Sequence, residues 1–105
     1  MRGQLTFWVL LALSESKKHA SEISLWTEKA TQGTVTTDLQ SLYRALRRYY
    51  DAELVDHETI PNSSGPDRKL YFLTELGESL LDQFIQRNIV NFYHPLIKEY
   101  LKERQ

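Results

Sequence analysis

An apolar run near the start of the chain most restricts how the chain can fold. Leu5 to Leu13 reads LTFWVLLAL and contains one polar residue, Thr6. The run predicts a helix over residues 4–14 with apolar side chains on every face, and such a helix must be buried on all sides. One side can face the chain's own core. We expect a second copy of the chain to cover the other side, because it would otherwise form a large exposed apolar patch.

The same run predicts neither a membrane span nor a signal peptide. It is far shorter than the roughly 20 residues that cross a bilayer. A single early basic residue, Arg2, and the LALSES sequence that follows are poor signal-peptide features. The 105 residues, 41% hydrophobic and 26% charged, predict one soluble domain, which we expect in the cytoplasm. The formal net charge of −1 does not by itself indicate a nucleic-acid partner, so the placement of charges must decide.

Periodicity and turn residues predict the order of the remaining elements. A second helix is expected over residues 20–31. His19 or Ser21 can start it, and Gly33, just beyond its last residue, terminates it. A third runs from a cap at Thr36 or Thr37 through Asp51, so a short turn joins the pair. Strands over residues 54–60 and 68–73 flank the turn-forming segment PNSSGPD. Thr74 can cap the last helix.

This order predicts a mainly α fold with a small β-hairpin (α+β), namely a winged helix-turn-helix followed by a C-terminal dimerisation helix. We expect the DNA-binding domain over residues 1–74 and the dimerisation helix over residues 75–105. The last helix carries a long apolar stripe that continues through Pro95, where a kink is expected. The residues expected at the dimer interface come from the first and last helices: Leu5, Trp8, Leu11, Ile85, Ile89, Phe92, Leu96 and Tyr100.

The third helix has two chemically different faces. Leu39, Leu42, Leu46 and Tyr49 share an apolar face, and arginines and hydroxyl residues lie opposite. In a winged helix this element enters the major groove and the hairpin touches the flanking backbone. Arginine can bind guanine, glutamine can bind adenine, and hydroxyl groups can hold phosphates. The residues expected to contact double-stranded DNA are Thr36, Thr37, Gln40, Ser41, Tyr43, Arg44, Arg47, Arg48, Arg68 and Lys69.

Two alternatives remain open for this helix. The arginine face could be a solvated surface, and Tyr43 and Tyr50 could be half-buried core aromatics. The domain could also bind a protein instead of DNA, because the hairpin has only Arg68 and Lys69 as cations, beside Asp67. Steep salt dependence of retention on DNA would separate the two functions.

Two motifs resemble the PadR family of transcriptional regulators. The first is SLYRALRRYYDAELVDHE and the second is GPDRKLYFLTELGESLL. The resemblance implies a winged helix, dimerisation through the last and first helices, and repression as the commonest activity. Some family members are released by phenolic or other aromatic effectors, for which Trp8, Trp26, Phe92 and Tyr93 could line a pocket; the alternative is that they form dimer core. The short C-terminal part is similar to the family type with a single final helix.

This sequence departs from the family pattern at three positions. Arg44 stands where proline is common, and Ala20 replaces a glycine. Glu53 stands where the family usually has glycine before the first wing strand. Because glycine there would take positive φ, Glu53 predicts a different turn at the entry to the wing.

No motif indicates an enzyme or a cofactor. His19, His57 and His94 lack the HxxxH or HExxH spacing of metal sites. The chain has no cysteine and no GxSxG nucleophile motif. We therefore expect no catalysis, no metal and no cofactor.

Overall fold

Four helices and one β-hairpin make up the part of the chain that the structure, a computed structural model, describes: residues 2–88, with side chains from residue 4 to residue 87. The elements in chain order are α1 (Arg2–Glu15), α2 (Ala20–Ala30), α3 (Leu39–Asp51), β1 (Val55–Ile60), β2 (Arg68–Leu73) and α4 (Glu75–Asn88). The predicted order and the α+β winged-helix class are confirmed. Five predicted interface or pocket residues lie outside the described residues: Ile89, Phe92, Tyr93, Leu96 and Tyr100.

Helix α1 is buried by its own chain. It packs against α2, α4 and β2, and no residue from Phe7 to Leu13 is more than 8% exposed. Trp8 and Leu11 of the predicted dimer interface are therefore already covered. Ile85 of α4 is buried as well, and Leu5 packs half-buried against the same core. The apolar run needs no second copy to cover these side chains, because three elements surround it. Dimerisation stays a prediction that the burial of α1 does not support.

The eight residues that join α2 to α3 begin with a turn that has two left-handed residues. The backbone N–H of His19 donates to Glu22 Oε1 (2.8 Å) at the start of α2. At its end Gln32 (φ 53°) and Gly33 (φ 80°) reverse the chain, and Gly33 N–H donates to the carbonyl oxygen of Glu28 (2.8 Å). This bond pattern closes the last turn of α2. The predicted end at Gly33 thus holds, with Gln32 sharing the left-handed conformation.

The start of α3 differs from the prediction in two ways. Asp38, not Thr36 or Thr37, caps the helix by accepting a hydrogen bond from Ser41 N–H (2.8 Å), since its short carboxylate reaches the third helical residue. Leu39, predicted on the buried face, is 43% exposed. A helical side chain covers the turn on the N-terminal side of its own Cα, and no turn precedes Leu39. The buried face begins at Leu42.

The hairpin is anchored to the helices by a backbone bridge. Its register pairs Val55 with Leu73 and Ile60 with Arg68. Lys18, between α1 and α2, exchanges two backbone hydrogen bonds with Tyr71 (3.0 and 2.9 Å). The wing is thereby fixed beside the start of α2.

The entry to the wing keeps a glycine-like turn without glycine. Glu53 has a φ of 64°. Its N–H donates to Tyr50 O (3.0 Å), and Leu54 N–H donates to Tyr49 O (2.9 Å). These two bonds form the usual helix-ending motif with a left-handed residue. The prediction of a different turn at Glu53 is therefore wrong. The two hydrogen bonds hold Glu53 in the left-handed conformation, which is unfavourable for residues other than glycine.

Helix α4 starts in close contact with the base of the wing. Thr74 caps it as predicted, accepting from Gly77 N–H (3.0 Å), and its hydroxyl also donates to Glu53 O (2.6 Å). Farther along, Leu81 and Ile85 enter the common core. The described part of α4 thus packs with the winged helix, and the division at residue 74 stays a prediction.

Candidate nucleic-acid interface

The outward side of α3 presents the polar residues that the sequence singled out. Leu42, Ala45 and Leu46 face the core with 1% exposure or less, which fixes the orientation of the helix. The predicted contact residues divide by burial: Thr37 and Ser41 are half-buried, and Thr36, Gln40, Tyr43, Arg44, Arg47, Arg48, Arg68 and Lys69 are exposed. All ten are therefore at least partly accessible.

Three side chains are linked by hydrogen bonds across the first turn of α3. Ser41 Oγ donates to Asp38 Oδ2 (3.1 Å), and Arg44 Nη2 donates to Ser41 Oγ (3.2 Å). The pKa of Asp38 is lowered, chiefly by the backbone N–H of Ser41, then by its hydroxyl and by the positive charge of Arg44. The carboxylate at the start of α3 is thus held ionised.

Arg47 is paired with an acid on its own helix. Its Nε lies 3.3 Å from Asp51 Oδ1, one turn away, and the two side chains are 76% and 61% exposed. An exposed pair of this spacing contributes only about 0.3–0.5 kcal/mol. Arg47 can therefore exchange Asp51 for another anion at little cost.

An open cleft of about 510 Å³ lies between α3, the start of α2 and the wing. Its lining includes three predicted contact residues, Tyr43, Arg68 and Lys69, together with His19, Ser21 and Asp67. His19 Nδ1 lies 2.9 Å from Lys69 O, which ties the wing to α2. The structure thus brings the wing cations alongside the middle of α3.

A second cleft, of about 190 Å³, lies directly under the wing. Tyr43, Arg47 and Lys69 line it with three further aromatic groups, Tyr50, His57 and Tyr71. The rings of Tyr50 and His57 stack at 4.9 Å, and the His57 and Tyr71 rings meet edge to face at 5.6 Å. His57 Nδ1 is buried and has no hydrogen-bond partner among the described residues. Burial raises the pKa of Tyr71, with a smaller contribution from Tyr43.

The family match covers most of the described chain. Residues 9–83 match the model of the transcriptional regulator PadR-like family. The chain belongs to this family. The family is one of transcriptional regulators, and its winged helix accounts for the order of helices and hairpin found here. No curated protein matches the chain in sequence.

Solved structures of PadR-like proteins have the same fold. A PadR-like transcription factor from Bacteroides fragilis is 29% identical, with 85% of this chain and 84% of that chain covered and a TM-score of 0.71. A PadR family regulator from Clostridium difficile R20291 is 22% identical, with 96% and 97% covered and a TM-score of 0.68. Bacillus subtilis PadR in complex with operator DNA is 17% identical with a TM-score of 0.71; the match covers 78% of this chain but only 46% of that one.

Two residues at the candidate interface of this PadR-like chain, Asp38 and His57, were not among the predicted contact residues. Asp38 could have been found from the strong preference for aspartate at helix starts, three residues before Ser41. His57 carried a weaker signal. It lies opposite Tyr71 in the hairpin, but only the approach of α3 brings Tyr50 onto its ring. Tyr43 and Tyr50 are 53% and 41% exposed, so neither is the half-buried core aromatic of the alternative interpretation.

The two tryptophans of the predicted effector pocket lie together within one chain. Their ring centroids are 6.4 Å apart, and Trp8 is 6% exposed. Trp26 Nε1 donates to Glu15 Oε2 (3.0 Å). Phe92 and Tyr93 are outside the described residues, so the pocket stays a prediction.

The described residues of this PadR-like chain contain neither a grouped set of metal ligands nor a membrane-spanning helix. There, no three or more histidines and acids are grouped closely enough to hold a metal ion. None of the described helices combines the length and apolar character of a transmembrane segment.

Proposed function

We propose that this PadR-like chain regulates transcription by binding a specific double-stranded DNA operator through α3 and the wing. The observation that carries the proposal is the two-sided helix α3. Leu42 and Leu46 lock it into the core, and its arginines face outward beside the wing cations. A helix held in this way enters the major groove in other helix-turn-helix proteins. The operator complex of Bacillus subtilis PadR supports the proposal by family membership.

Different cations have different tasks in this proposal. Arg44 and Arg48 are exposed one turn apart, so both can reach base edges in one groove. Arg47 lies toward the wing and forms an exposed ion pair with Asp51. Lys69 lies on the wing itself. We assign Arg47 and Lys69 to the phosphate backbone, where contacts add affinity without sequence preference.

Binding titrations of three variants test this division. Arg44→Ala should lose about 1–3 kcal/mol of preference for the operator over scrambled DNA. Arg47→Ala and Lys69→Ala should weaken binding to both DNAs alike and lower the salt slope by about 1 per subunit. Helical content measured by circular dichroism should not change, because all three side chains are exposed. If all three variants bind operator like the parent, the arginine face is a solvated surface and protein binding becomes the better proposal.

We further propose a homodimer that represses from an inverted-repeat operator. Support comes from the apolar stripe of the final helix and from family resemblance. Two copies of α3 would read half-sites about 10 base pairs apart. Replacing Ile89 and Phe92 with lysine should give a monomer in sedimentation. A monomeric parent at micromolar concentration would contradict this part of the proposal.

An aromatic effector is the last element of the proposal. Support comes from the neighbouring Trp8 and Trp26 and from family resemblance. A flat aromatic compound should quench tryptophan fluorescence and weaken DNA binding together, because an effector must bind two states differently. Quenching with unchanged DNA affinity would argue against regulation.

A further inference from the structure

The hydrogen-bonded chain at the start of α3 has a fixed direction. A carboxylate can only accept hydrogen bonds and a guanidinium can only donate them. The Ser41 hydroxyl lies between Asp38 and Arg44, at 3.1 and 3.2 Å. Its single proton must therefore go to Asp38, which leaves an oxygen lone pair for Arg44. With Asp38 ionised, Ser41 is held as an acceptor facing the arginine.

This arrangement places the Arg44 guanidinium over the first turn of α3. Helical side chains lean toward the N-terminus, and the bond to Ser41 fixes Arg44 in that direction. The N-terminal residues of a recognition helix contact base edges. One of the five N–H groups of Arg44 is used by Ser41, so enough donors remain for a bidentate contact with guanine.

We propose that Asp38 and Ser41 are positioning residues that orient Arg44 for base recognition and so set the sequence preference at one operator position. The inference rests on the proposed function. It adds that the preference depends on two residues which need not touch a base. Arg47 offers a contrast, because it pairs with Asp51 at the other end of the helix and lacks this connection.

The test is a double-mutant cycle on a selected operator and its single-base variants. Ser41→Ala keeps the helix cap, because Asp38 is also bound by the backbone N–H of Ser41. It should reduce the preference at one operator position about 2-fold to 10-fold, the range for one hydrogen bond. Arg44→Ala should reduce the preference at that same position about 5-fold to 150-fold. With Arg44 already replaced, Ser41→Ala should change nothing further.

Two controls separate positioning from direct contact. Ser41→Thr retains the hydroxyl and should restore the preference. Ser41→Ala combined with Arg47→Ala should give additive effects, because no hydrogen bond joins Arg47 to Ser41 in the structure. An equal loss with and without Arg44 would mean that Ser41 contacts DNA itself, and unchanged preference would mean that Arg44 needs no orientation. Either result overturns the proposal.

A measurement on the protein alone distinguishes failure of this inference from failure of the proposed function. Carboxyl NMR titration should show the pKa of Asp38 rising toward its ordinary value in Ser41→Ala, and rising less in Arg44→Ala. Unchanged values would show that the three side chains are not linked, whatever the chain binds. If the pKa of Asp38 rises in the variants as expected but the parent shows no sequence preference, DNA recognition is refuted, and base positioning with it.

Discussion

Replacing Gly77 by alanine should destabilise the protein even though alanine is the better helix former. Gly77 lies in the first turn of α4, packed on the backbone at the base of the wing. A β-carbon there would overlap the carbonyl oxygen of Leu54, and would lie 3.1 Å from its carbonyl carbon and 3.2 Å from Leu73 Cδ2. The obstacle is backbone, so no side-chain rotation can relieve it. Either α4 or the start of β1 must move.

The expected loss of stability is about 2 kcal/mol. Overpacking a filled site costs about 1–3 kcal/mol. Moving the Leu54 carbonyl also weakens the bond it accepts from Thr74 N–H (3.2 Å), for about 1 kcal/mol more. Alanine recovers about 1 kcal/mol of helix propensity. For a domain of this size, the net change corresponds to a fall in Tm of roughly 10 °C.

Thermal and urea denaturation of Gly77→Ala against the parent measure this loss. Gly65→Ala is the matched control. Gly65 lies in the turn between the strands, its added Cβ would approach Asn62 Nδ2 no closer than 3.6 Å, and its φ is not positive. We expect its Tm to stay within a few degrees of the parent. A Gly77→Ala protein as stable as the parent, or more stable, would refute the argument from close approach.

Substitutions at three further positions test local features. Glu53→Gly should stabilise the chain by about 0.5–1 kcal/mol in chemical denaturation, because relief of the left-handed glutamate exceeds the added unfolded-state entropy; a less stable variant would contradict this. Thr74→Val should lower the free energy of unfolding by about 1–2 kcal/mol, because it removes the hydroxyl that caps α4, whereas Thr74→Ser should be nearly neutral. Equal losses in the two variants would argue against a capping role of the hydroxyl. The lowered pKa of Asp38 implies stabilisation that is present above the ordinary aspartate range and is lost as pH falls through the lowered pKa. Asp38→Asn should lack this loss of stability at low pH. If Tm of the variant and of the parent depended on pH in the same way, ionised Asp38 would not stabilise the fold.

Features set by local sequence were the predictable ones. Strand β2 has the predicted bounds, Arg68–Leu73, and β1 starts at Val55, one residue later than expected. Proline, glycine and asparagine concentrate between the two strands and leave few other places for the turn. The cap at Thr74 was likewise predictable, because a single suitable residue precedes the last helix.

The start of α3 was harder because neighbouring residues have nearly equal local preferences. Thr36, Thr37 and Asp38 can all cap a helix. The choice among them depends on how many residues the turn after α2 uses, and that turn includes left-handed Gln32 as well as Gly33. The exposure of Leu39 follows from the same shift, since the helix starts too late to bury it.

Features that depend on distant contacts could not be predicted from pattern alone. Burial of α1 on all sides was predictable, but whether its own chain or a partner covers it depends on how α2, α4 and β2 surround it. The ring stack of Tyr50 on His57 likewise requires the wing to fold back on α3. Neither arrangement has a signature within a few residues of sequence.

Local charge, not net charge, determines what DNA would meet at this surface. At physiological salt, exposed charges are screened beyond about 8 Å. Acids elsewhere in the chain, which bring the net charge to −1, therefore contribute little at α3 and the wing. The acids at this surface are Asp38, already bound by Ser41, Asp51, which holds Arg47 through an exposed and weak pair, and Asp67, which lines the open cleft beside Arg68 and Lys69. A phosphate that displaces Asp51 gains a cation at small cost, so a slightly acidic protein can still present a positive binding face.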